Sequence, residues 1–168
     1  LHPAEKLPDQ WPAFAYAING RPEHLFAVQG KLRKLDAQEV EAASGKPADV
    51  ALSYSWRGSA YRWSIVWQGQ IIGLFGLSAP AALGMVGVPW LLGTDRLEEI
   101  KVSFIKDSRR YLDYMLTLYP ILANYVDARN WPAIKFLKAA GFTLADHTKT
   151  MGPYHLPFYY FEMRKSYV

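Results

Sequence analysis

No charged residue occurs between Trp63 and Thr94. A stretch that long either crosses a membrane or lies inside a sheet, since a spanning helix needs about 20 apolar residues. Its punctuation decides for the sheet. Gln68-Gly69-Gln70, then Ser78-Ala79-Pro80, then Gly84, Gly87 and Pro89 cut it into runs of strand length. Central strands covered on both faces read as such near-continuous apolar runs. Tyr61, Trp63, Ile65 and Trp67 alternate with Arg62, Ser64, Val66 and Gln68, the two-residue period of a strand. The spacing predicts strands at 61–68, 71–77 and 85–92, the first two forming an antiparallel hairpin.

A second block, residues 122–142, predicts strand, capped helix and glycine stop. Leu122, Asn124 and Val126 alternate with Ala123, Tyr125 and Asp127. Asn130 suits an N-cap, Pro132 suits the first turn, and Gly141 suits a left-handed stop. Trp131, Ile134, Leu137 with Ala133, Phe136, Ala140 are read as one apolar face. Between the two blocks, Asp95–Leu118 predicts a long amphipathic helix with an inner stripe from Leu97 to Leu118; Asp95 and Glu98 have capping-box spacing. A last strand is expected over 158–164.

The start is less regular. Residues 1–24 carry Pro3, Pro8, Pro12 and Pro22 and read as an arm with a short helix near 13–18. Residues 25–45 read as helical, weakened at Gly30 by about 1 kcal/mol, with Asp36 capping a second helix that Gly45 ends. Another short helix is expected over 49–54. The division is then an arm, 1–24, and one α+β domain, 25–168.

Composition narrows the chemistry. At 168 residues with 51% hydrophobic content, one well-filled domain is expected. There is no cysteine, hence no thiolate nucleophile or cysteine metal site. His2, His24, His147 and His155 have no metal-ligand spacing, so no metal is expected. Net charge is only +4, without a like-charge block, which argues against nucleic-acid binding. No basic region followed by an apolar core opens the chain, so no signal peptide is read.

The order of elements, with Asn130, Ala133, Gly141 and Phe142 at their spacing, resembles the GNAT superfamily of N-acetyltransferases over residues 25–165. The resemblance implies a mixed, mostly antiparallel sheet flanked by helices, with strand 122–127 parallel and adjacent to, or splayed from, strand 85–92. Pro89-Trp90-Leu91-Leu92-Gly93-Thr94, Asn124-Tyr125-Val126 and the ending Gly152-Pro153…Pro157-Phe158…Phe161 resemble the GNAT-like proteins of podophages. That resemblance implies virion assembly or the internal core, reached through protein partners or self-association, in the host cytoplasm or the virion.

Two departures bear on activity. The family's leaving-group tyrosine falls on Leu137. The family's glycine-rich phosphate loop is Leu91-Leu92-Gly93-Thr94-Asp95-Arg96, followed by Glu98 and Glu99. Carboxylates in the first turn favour an empty helix end by about 0.3–1 kcal/mol each and oppose a bound pyrophosphate. No cofactor is therefore expected. The alternative is an active N-acyltransferase using acetyl-CoA. It would use Glu39 as base, Tyr125 as acid, and Leu91, Leu92, Gly93, Thr94 and Asn130 for the cofactor. Surplus aromatics at Trp11–Tyr16 and Met151–Tyr160 are read as an interface.

Overall fold

The charge-free stretch folds as three strands. β2 (Ser59–Trp67) and β3 (Gln70–Ser78) pair antiparallel, with Trp63 opposite Phe75 and Ser64 opposite Leu74. Gln68 and Gly69 both take positive φ, 48° and 73°, the turn whose twist suits a two-residue hairpin. β4 (Val86–Gly93) lies antiparallel to β3 on its other side. The protein is seen here as a computed structural model that describes residues 15–79 and 84–166. No described helix is long and apolar enough to cross a membrane.

Four more strands complete one seven-stranded sheet: β1 (Tyr16–Asn19), β5 (Ile121–Asp127), β6 (Thr143–Met151) and β7 (Leu156–Arg164). The order is β1-β2-β3-β4-β5-β7-β6, and among the described residues only β4 and β5 run parallel. The sheet has helices on both faces because β3 is apolar on both. Phe75 stacks on Trp63 at 5.1 Å. Both join Tyr111 and Met115 of α4 (Leu97–Leu118) and Leu137 of α5 (Trp131–Ala140) in one core. Leu74 points the other way, to Val28 of α1 (His24–Val28) and to Leu52 and Trp56 of α3 (Ala48–Arg57). α2 (Lys34–Ser44) packs on α3 and β5.

Several expectations hold at single residues. Asn130 caps α5, its side chain accepting from the Ala133 N–H at 3.4 Å. Gly141 ends α5 at φ 100°, and Gly45 ends α2 at φ 68°.

Others are corrected. Of the short helix expected near 13–18, residues 16–18 lie instead in β1, with Tyr16 opposite Val66 and Asn19 opposite Trp63. β2 would otherwise expose an unpaired edge, and pairing that edge outweighs local helix preference. The helical pattern from 25 breaks at Gly30, φ 70°, before α2 begins. Asp36 is not a cap: α2 starts at Lys34, and Asp36 lies buried in its first turn. The Asp95/Glu98 capping box does not form, because the residue before α4 is Arg96, in helical conformation with no side-chain cap. Trp131 leaves the apolar face of α5 and stands 59% exposed, with Lys135 over its ring.

Candidate functional site: the gap between two parallel strands

β4 and β5 start as neighbours and then part. Val86 faces Ile121 and Gly87 faces Leu122, and there their pairing stops. Pro89 contributes, since it brings no N–H to a ladder. The hydrogen-bond alternation of the flanking pairs tells which backbone groups face the gap. Thr94 N–H bonds to Ile72 C=O, so even-numbered residues of β4 serve β3, while Pro89, Leu91 and Gly93 face the gap. Ala128 N–H bonds to Pro157 C=O, so Tyr125 and Asp127 of β5 face it from the other side.

The chain's own side chains fill most of these positions. Asn124 acts as a rung: its Nδ2 donates to Pro89 C=O at 3.0 Å and its Oδ1 accepts from Tyr125 N–H at 2.8 Å. At the wide end, α2 reaches both strands. Gly93 N–H donates to the Asp36 carboxylate at 3.3 Å, and Gly93 C=O accepts from Arg33 N–H at 2.8 Å. Asp127 N–H donates to Glu39 Oε2 at 3.1 Å. Asn130 joins the two halves, its Nδ2 donating to Asp36 Oδ1 at 3.3 Å and to Glu39 Oε2 at 3.0 Å. Asp36 and Glu39 are three residues apart, hence on one face of α2.

Charge is matched around this strap. Arg33 pairs with Asp36 at 2.9 Å and Arg129 with Asp127 at 2.6 Å. Glu39 has no ion pair among the described residues. Burial pushes its carboxyl up to about 7; hydrogen bonds from Asn130 and the Asp127 amide pull down, and the Asp36 and Asp127 charges push up. Burial also raises Asp36, against the Arg33 charge.

Between the parted strands lies a cleft of about 730 Å³. Glu39 and Tyr54 line it from one face of the sheet, and Lys101 and Phe136 from the other, so it runs through the sheet. Of the residues singled out in the sequence, Glu39, Tyr125, Leu91 and Leu92 line this cleft. Gly93, Thr94 and Asn130 do not: their polar groups are engaged inside the fold. Tyr125 packs edge-on against Tyr160, ring centroids 5.5 Å apart. Leu137 contributes an apolar wall. As site residues Arg33, Asp36 and Asn124 were not singled out in the sequence: Asp36 reads there as a cap and Asn124 as a strand position. Only the three-residue spacing of Asp36 and Glu39, and an asparagine inside a strand, where it is disfavoured, hinted at them.

The start of α4 is closed as well. The N–H groups of Leu97, Glu98 and Glu99 bond to the carbonyls of Thr94, Asp95 and Arg96 at 3.0, 3.1 and 3.1 Å. Arg96 is drawn to Glu99 at 3.0 Å, Gln70 at 2.8 Å and Gln68 at 2.7 Å. Glu98 pairs with Arg33 and Lys101, each at 3.4 Å.

This fold recurs in solved acetyltransferases. Ard1 from Thermoplasma volcanium superposes with a TM-score of 0.65 at 13% identity, covering 91% of this chain and 99% of that one. Spermidine N-acetyltransferase from Vibrio cholerae, solved with CoA and spermine, gives 0.61 at 13% identity, covering 91% and 96%. A GNAT-family acetyltransferase from Streptococcus pneumoniae gives 0.59 at 11%, covering 90% and 99%. The fold is the GNAT fold. Residues 84–148 match the family model described as "Bacteriophage T7, probable scaffold protein Gp13". No curated protein sequence matches the chain. The matched segment of this GNAT-fold chain runs from the start of β4 into β6 and so contains both strands of the gap.

Of the expected aromatic interface, Tyr154 is 63% exposed at the β6–β7 turn, while Tyr159 packs against the core and Tyr160 donates to Glu162 at 2.9 Å. Trp11 lies outside the described residues.

Proposed function

We propose that this chain is a non-catalytic GNAT-fold protein of a tailed phage, akin to the podophage internal-core proteins. In this reading it serves virion assembly through protein–protein contacts, in the host cytoplasm or the virion. The observation that carries the proposal is that the strand gap is bridged from within: Asn124, Asp36, Arg33 and Glu39 hold the backbone groups to which a cofactor would bind. The match of residues 84–148 to a phage scaffold family supports the assembly role. The loop residues do not suit a pyrophosphate, because the amides that open α4 are spent in tight turns beside three carboxylates.

A second reading, an active N-acyltransferase, has one observation in its favour. Glu39 stands on the cleft with a carboxyl near 7, suited to take a proton from an amine. Thiol release from acetyl-CoA with amine acceptors, lost in Glu39→Gln, would replace the first reading with the second.

The assembly reading is tested on the exposed aromatics. Trp131→Ala with Tyr154→Ala removes two surface rings that no core requires. Incorporation of the double variant into assembled particles is expected to fall about tenfold, as for interface anchors, with its thermal midpoint unchanged. Normal incorporation of the folded variant would remove these rings from the interface.

A further inference from the structure

The outer sides of α4 and α5 are sorted by charge. The two helices run side by side in one direction. Phe104 stacks on Phe136 at 5.6 Å, and five residues further along both helices Arg109 reaches the C-cap of α5, 3.2 Å from where a Cβ on Gly141 would stand. Each helix carries exposed cations on its outer side: Lys106 and Arg109 on α4, Lys135 and Lys138 on α5. Spacings of three residues keep each pair on one side of its helix.

Little opposes this charge. No carboxylate occurs in α5. Arg109 meets Asp113 at 3.3 Å, but both are exposed, and such a pair holds weakly in water. Asp107, one turn before the buried Tyr111, lies on the sheet side of α4. The carboxylates at the start of α4 are engaged, Glu98 by Arg33 and Lys101, Glu99 by Arg96. Lys106, Lys135 and Lys138 have no ion pair among the described residues.

Between the two rows the surface is apolar. Ile105 and Ala139 line the space between the helices, beside the Phe104–Phe136 stack. Val102 and Trp131 stand exposed toward the N-terminal ends of the helices. A trough between two helices is what the ridge of a third helix packs into, at about 8–10 Å between axes. An apolar strip gives nothing to a phosphate backbone, which is held by cations and hydrogen-bond donors along its length. Both helices also belong to the segment, residues 84–148, that matches the phage scaffold family, and α1, α2 and α3 do not.

We propose that the α4–α5 face seats an amphipathic helix of a partner protein. Its apolar ridge lies in the trough, and its carboxylates meet Lys106 and Arg109 on one side and Lys135 and Lys138 on the other. The inference rests on the assembly reading and names the surface and the partner's form. The strand gap and the α2 strap take no part in it.

The test uses the full chain at physiological salt. The probe is a helical peptide of three repeats of Glu-Leu-Ala-Gln-Leu-Glu-Ala, with leucines on one side and glutamates on both flanks. Saturable binding with a micromolar dissociation constant is expected, with the Ile105 and Ala139 amide signals displaced in a nitrogen–proton correlation spectrum. Lys135→Glu with Lys138→Glu should weaken binding about tenfold or more. Lys31→Glu with Lys34→Glu makes the same charge change on the other side of the sheet and should weaken it less than about twofold. Ala139→Gln fills the trough at constant charge and should weaken binding about tenfold. Circular dichroism checks that each variant is folded.

Equal losses in the two charge variants, full binding by Ala139→Gln, or equal binding of a peptide with the same residues shuffled would each overturn the inference. So would no saturation up to about 1 mM probe. Tighter binding of a DNA duplex of about 20 base pairs, lost in the Lys135/Lys138 variant, would give the face to nucleic acid instead. If the probe and acetyl-CoA both fail to bind, this inference falls and the assembly reading stands. Micromolar acetyl-CoA binding with acyl transfer would instead bring down the reading beneath it.

Discussion

Replacing Asn130 by alanine is expected to destabilise the fold by about 3 kcal/mol. The cap of α5 accounts for about 1 kcal/mol. The remainder comes from the two donors that Asn130 presents to Asp36 and Glu39, since a hydrogen bond to a buried charged group contributes about 1.5–3 kcal/mol, partly offset as Glu39 takes up a proton. Two companions separate these contributions. Asn130→Ser keeps a capping oxygen and loses the donors, so it should recover only the cap. Asn130→Asp keeps the cap and adds a third carboxylate to the strap; it should be worse than alanine at pH 8 and close to serine at pH 5. Urea unfolding of the three variants checks the order. An alanine variant within about 0.5 kcal/mol of the parent, the range of neutral surface changes, would mean that the strap does not hold the strands.

The second large effect is on pH. Glu39 ionises near 7 in the folded chain, against an ordinary 4.5. Between those values the folded state retains a proton that the unfolded state has released. Stability therefore falls as pH rises through that window and levels off above it. At 1.36 kcal/mol per unit, the decline is about 3 kcal/mol. Asp36, raised by burial as well, acts in the same direction. Glu39→Gln should flatten most of the slope. The measurement is unfolding free energy from pH 5 to pH 8 in parent and variant. Parallel curves would remove Glu39 from the account.

Legibility in the sequence followed locality. The helix α5 was written at its ends, because Asn130 and Gly141 act within a turn of themselves. The three central strands were written in the absence of charge from 63 to 94, because burial on both faces excludes it. β1 was not, because its reason is the open edge of β2, more than forty residues away. The gap was half legible. Glu39, Tyr125, Leu91 and Leu92 line the cleft. What closes the gap did not show, since the contacts of Asp36 with Gly93 and Asn130 span 57 and 94 residues. Asp36 looked like a cap because an aspartate before a helix usually is one. Its burial against β4 gave it other partners.

The central claim is that this GNAT-fold chain keeps the strand gap for itself and binds no acyl cofactor. Calorimetric titration of the purified protein with acetyl-CoA at physiological salt tests it most directly. The expected result is no saturable heat up to about 1 mM ligand, a binding free energy weaker than about 4 kcal/mol. A dissociation constant in the low micromolar range, about 8 kcal/mol, would contradict it.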